Sequence, residues 1–224
     1  MEYAAGAGGG RRGDNAAGAV GVGMADAGQA MLSLGTSGVY FAVSEGFLSK
    51  PESAVHSFCH ALPGRWHLMS VMLSAASCLD WAAKLTGLAS VPALIAAAQT
   101  ADESAGPVWF LPYLSGERTP HNNPQAKGVF WPDASAWAGR AGAGGAGRVG
   151  YALADGMDVV HACGIKPQSI TLIGGGRAAL TGGKCWRISA ACSSITVPGR
   201  CRPGAGAARL AQLAVHDEAD RPGC

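Results

Sequence analysis

Charge is scarce in this sequence. Asp, Glu, Lys and Arg make up 14% of the residues and the net charge is +2. A nucleic-acid-binding protein would show a basic face, and Arg11-Arg12 is too short a run to supply one. No apolar run reaches the ~18–20 residues of a membrane span. The Gly/Ala-rich beginning lacks the apolar centre of a secretory leader, so a cytoplasmic location is expected. No two cysteines form a C-x-x-C pair, and the seven are scattered, which suits neither a disulfide framework nor a zinc site. Four of them (Cys185, Cys192, Cys201 and Cys224) crowd the end of the chain. His56 and His60 stand four apart, but Pro51 precedes them and no acidic partner is near. A structural or surface role is expected for them over metal ligation.

What is present is apolar and glycine-rich. A hydrophobic fraction of 48% over 224 residues supports a buried core in one large domain or two small ones. Residues 30–43, AMLSLGTSGVYFAV, read as two strands around a Gly-Thr-Ser-Gly turn, because β-branched and aromatic residues favour strand. Leu68, Met72, Ala76, Leu79 and Ala83 recur near helical spacing, so 66–86 is expected as one helix stopped by Gly87, its Met and Trp residues in the core. A short helix is expected over 92–99, and over 149–163 a helix ended by Gly164. GPVWFLPYLSGERTP (106–120) passes from a strand-like run into a polar loop. SITLIGGG (169–176) reads as a buried strand running into three glycines, a place where phosphate or base can approach the backbone.

Asp14 stands out in GGRRGDNAAGAVGVG (9–23), a carboxylate among residues with almost no side chains. Spacing leaves two readings: a turn or helix cap, or a carboxylate aimed at a ligand lying against the backbone. LGTSG (34–38) is equally open between an ordinary hairpin turn and a phosphate loop.

Taken together, GDNAAGAVGVG, LGTSG, YLSGERTPHNN, VGYALADGMDVVHACG and LIGGG resemble the C-terminal half of a sugar kinase of the FGGY carbohydrate-kinase family. The resemblance covers most of 13–176 and returns near 204–214. It implies an α/β, actin-like and ribonuclease-H-like ATPase domain, the second of two that close over a cleft. The domain would span 13–214, between an irregular segment (1–12) and a tail (215–224). The first domain, an N-terminal kinase domain supplying much of the sugar pocket, would be the missing partner. The reaction implied is ATP-dependent phosphorylation of D-xylulose to D-xylulose 5-phosphate, with Mg²⁺ implied by ATP and no ligand set for it visible. Asp14 would be the catalytic base, and Asn15 would orient substrate or cap a helix. Gly35, Thr36, Ser37 and Gly38 would form a phosphate loop, and Gly174, Gly175 and Gly176 would begin the adenosine motif. Glu117 and Arg118 would lie on a loop facing the cleft or pair with each other.

Two segments depart from the family pattern. Residues 131–148 and 177–204 have little apolar periodicity, and reading their codons one base out of register permits a family-like helix in the first and family-like sequence in the second. Compensating frameshifts explain this and the late cysteines, and both segments are expected as loops or poorly defined helices. The functional readings are then a kinase half inactive alone, a non-catalytic remnant or nucleotide-binding actin-like domain, or a kinase of another sugar.

Overall fold

Side-chain alternation along the strands divides the core between two faces of one sheet. In β1 (Ala30–Leu34), Ala30, Leu32 and Leu34 point to one face and Met31 to the other. In β2 (Gly38–Ser44), Tyr40 and Ala42 join the first face, and Phe41 and Val43 the second. The computed structural model describes residues 14–100, 109–131, 137–167, 169–175, 194–196 and 208. Its six-stranded sheet also contains β3 (His56–Cys59), β4 (Trp66–Met72), β7 (Ser169–Ile173) and β8 (Ser194–Thr196), in the order β3-β4-β2-β1-β7-β8. The first four are antiparallel to their neighbours, whereas β1, β7 and β8 run parallel.

Helices cover both faces. α1 (Asp14–Gly21) lays Ala19 against Met31, Phe41 and Ile173 on the second face. The first face is closed by α2 (Ser77–Leu85) and α4 (Trp137–His161), with α3 (Val91–Gln99) packed on both helices. A two-stranded sheet of β5 (Trp109–Leu111) and β6 (Val129–Trp131) adds Phe110 and Phe130, which stack with Trp81. The hairpin over 30–43, the helix over 92–99, the helix closed by Gly164 and the strand at 169–173 are where the sequence puts them.

Three expectations are corrected. The single helix over 66–86 is a strand, β4, followed by the shorter helix α2. Leu and Met favour helix only weakly, and pairing with β2 along all seven residues and with β3 on the other side overrides that preference. Gly87 does follow the helix end, at φ +71°. Most of 131–148 is neither loop nor broken helix: α4 starts at Trp137 and runs unbroken to His161. Its second half buries Val149, Ala152, Leu153, Met157 and Val160, a stripe that anchors the helix. Extending an existing helix into Ala-rich sequence needs no new nucleus, which outweighs the cost of the glycines there. Within 177–204, residues 194–196 form β8, parallel to β7. The rest of that segment, residues 1–12 and the tail lie outside the described residues, except for those already given.

Candidate functional site

β1 and β7 are adjacent, parallel and in register from Ala30↔Ile170 to Ser33↔Ile173. Their glycine turns therefore leave the sheet at the same end. Gly174 has φ +95°, and a Cβ there would lie 2.3 Å from the Leu34 carbonyl oxygen. Only glycine lets the two turns meet so closely. Gly38 is constrained differently: a Cβ would lie 2.7 Å from Leu153 Cδ2 and 3.2 Å from Ala75 Cβ. Neither Gly35 nor Gly38 needs a positive φ, so their freedom is spatial rather than dihedral. Around Gly175 nothing among the described residues would meet a Cβ within 4 Å. Gly176 lies outside the described residues.

The 34–38 turn is held from one side. The Thr36 carbonyl accepts from Ala75 N–H (2.9 Å), Ser77 N–H (3.3 Å) and Ser77 Oγ (2.9 Å), and the Gly35 carbonyl from Ala76 N–H (3.1 Å). Gly35 N–H closes the turn onto Ser37 O at 3.0 Å. With its carbonyls committed to the start of α2, the turn leaves the Thr36 and Ser37 N–H groups unbonded among the described residues, and Thr36 is exposed.

Asp14 is exposed and opens α1. Its Oδ1 accepts from Asn15 N–H at 2.9 Å, the adjacent amide, whereas a capping side chain bonds an amide two or three residues on. Gly18 lies against Ile173, where its Cβ would be 3.8 Å from Cδ1, at the end of β7. From there the chain returns to the start of β1, with Gly28 N–H donating to Val43 O at 3.0 Å. Asp14 begins α1 about 6 Å before Gly18 along the helix axis, and Ala16 and Val20 on the same helix pack with Ala61. Asn15 is half-buried on the same first turn.

Glu117 faces inward, at 2% exposure. Its Oε1 accepts from Leu73 N–H (3.0 Å) and Arg118 N–H (2.7 Å), while Oε2 is buried with no partner among the described residues. Burial pushes the carboxyl pKa up, and the two N–H donors, His121 and Arg118 act against that. An unpartnered buried oxygen costs about 1–3 kcal/mol. Arg118 is exposed, so the carboxylate is bonded to backbone rather than turned to the neighbouring guanidinium. The loop is pinned further by Thr119, which exchanges backbone and side-chain bonds with Val71 (Thr119 N–H to Val71 O 3.2 Å; Val71 N–H to Thr119 Oγ1 3.1 Å). Thr119 Oγ1 also donates to Ala54 O at 3.0 Å. The buried Cys78 thiol is pushed up to about 12 by desolvation and by Glu117, which keeps it unreactive at neutral pH.

His56 and His60 sit on β3 and just beyond it, and no group of three His, Cys, Asp or Glu among the described residues could hold a metal. No helix among them is long and apolar enough to cross a membrane. The inward anchoring of Glu117 escaped the sequence reading. A loop carboxylate written among Gly, Arg and Thr carries no mark of which distant amide it will reach.

The C-terminal domain of the FGGY family of carbohydrate kinases is matched over residues 30–181. The chain belongs to this family. It is 76% identical over 220 residues to xylulose kinase of Klebsiella pneumoniae, a match covering 94% of this chain and 44% of that protein. Against xylulose kinase of Escherichia coli K12 the identity is 72% over 218 residues, covering 92% and 43%. The crystal structure of a xyloylose kinase from Brucella ovis superposes with a TM-score of 0.81 at 40% identity, over 90% of this chain and 43% of that one. The actin-like α/β class expected from the motifs therefore holds. The chain spans under half the length of the curated relatives it matches most fully.

Proposed function

We propose that these residues form the nucleotide-binding and base-carrying half of an ATP-dependent D-xylulose kinase. The observation that supports it best is the shared sheet end from which the 34–38 turn and the Gly174 turn leave β1 and β7; we assign Asp14 to that end. Free N–H groups on the 34–38 turn suit the oxygens of a phosphate chain. Gly175, with open space where a side chain would be, suits the flat approach of a nucleoside. Asp14 accepts the proton of the sugar hydroxyl as its oxygen bonds to the γ-phosphorus and the bond to the ADP oxygen breaks. Asn15, one residue on, is placed to orient the sugar.

Magnesium has no ligand set of its own among the described residues. It would come bound to the triphosphate, the common mode for this ion. We assign most of the sugar contacts to the part of the relatives that lies beyond the match, and the proposed use of ATP fits a cytoplasmic reaction.

Titration with ATP and a coupled ADP-release assay with D-xylulose test the reading. The 224 residues alone are expected to bind ATP and to release xylulose-dependent ADP no faster than a blank. Failure to bind ATP would remove the nucleotide-site assignment. Substantial turnover would show that the sugar site is complete in this half.

A further inference from the structure

We infer that Glu117 is a positioning residue for the nucleotide site, acting through the segment between β4 and α2. The inference rests on the proposed phosphate role of the 34–38 turn, but its structural half stands separately. Glu117 Oε1 holds the N–H of Leu73, the first residue after β4. Two residues on, Ala75, Ala76 and Ser77 give their N–H groups, and Ser77 its hydroxyl, to the Gly35 and Thr36 carbonyls. One short stretch of backbone therefore links a buried carboxylate to the turn, and the carbonyls it fixes decide which way the turn's free N–H groups point.

The cost of the arrangement supports a directed role. Oε2 is buried without a partner among the described residues, although an exposed carboxylate would be solvated on both oxygens. The same loop is tied to β4 a second time by Thr119 and Val71, so the Glu117 contact is not needed merely to attach it. What Glu117 adds is a fixed point at Leu73, beyond the end of the strand, where ladder bonds no longer hold the chain.

Glu117→Ala removes the acceptor. Glu117→Gln keeps a side-chain oxygen at the same reach, and Ile165→Ala perturbs the core away from this segment. Affinity for ATP and amide hydrogen exchange at Ala75, Ala76 and Ser77 are measured on each. The Ala variant is expected to weaken ATP binding and to speed exchange at those amides by about ten-fold each, since small misplacements of a site are costly. The Gln variant is expected to stay within about three-fold of the parent on both counts, and Ile165→Ala to lower the melting temperature while leaving both unchanged. If the Ala variant does not fold, Glu117→Asp, one methylene shorter, is read in its place with the same expectation. Unchanged exchange in the acceptor-removing variant would overturn the inference, as would a Gln variant as impaired as the Ala one. If the parent itself fails to bind ATP, the proposed function is lost, while faster exchange in the Ala variant still upholds the link from Glu117 to the turn.

Discussion

His67 lies on the α1 face of the sheet, its ring stacked on Phe41 at 4.2 Å and edge-on to His60 at 6.0 Å. It is 3% exposed, and Nδ1 has no hydrogen-bond partner among the described residues. Desolvation, helped by the charge of His60, lowers its pKa from 6.5 to about 4. The unfolded chain therefore takes up the proton first as pH falls. The stability His67 contributes is complete above pH 6.5 and is lost as pH falls toward 4, by on the order of 3 kcal/mol. Glu117 and Asp155, both raised by burial, act in the opposite sense in the acid range. The test is thus the difference between His67→Phe and the parent in urea unfolding at pH 7 and pH 4.5. The variant is expected to lose less stability on acidification. Glycine substitutions separate packing from ligand contact. Gly174→Ala is expected to cost about 2–4 kcal/mol, because a Cβ at positive φ meets the Leu34 backbone. Gly175→Ala is expected to change stability by less than about 0.5 kcal/mol but to weaken ATP binding, as calorimetry would show.

At the scale of elements, the hairpin around LGTSG was legible because its pattern and its pairing agree. β1 and β2 are neighbours in sequence and in the sheet, so local preference and tertiary contact pull together. β4 was not legible: Leu68, Met72 and Ala76 fit a helical stripe, and only β2 and β3 on its two sides decide for strand. The start of α4 was hidden for the opposite reason. Residues 137–148 carry little pattern of their own and continue a helix whose anchoring stripe lies later. The meeting of the two glycine turns depends on parallel pairing between β1 and β7, strands more than a hundred residues apart, which no local window contains. The frameshift explanation for 131–148 and 177–204 is checked by resequencing codons 130, 148, 177 and 204. Indels relative to an unbroken family frame are expected, and their absence would leave the odd composition as the gene's own.

For the whole molecule, the decisive relation is between this chain and the larger part of its relatives beyond the match. On the proposed reading Asp14 acts as base beside two backbone turns, and in-line phosphoryl transfer also needs a sugar held against them. Supplying that part should restore catalysis without altering this chain. At 76% identity, the matching segment of Klebsiella pneumoniae xylulose kinase can be replaced by this one to make a two-domain protein. The most direct test is its xylulose-dependent ADP release with and without Asp14→Ala. The chimera is expected to be active, and the substitution to lower kcat about 10²–10⁴-fold, the range for loss of a general base. An Asp14→Ala chimera that keeps most of its kcat would contradict the assignment.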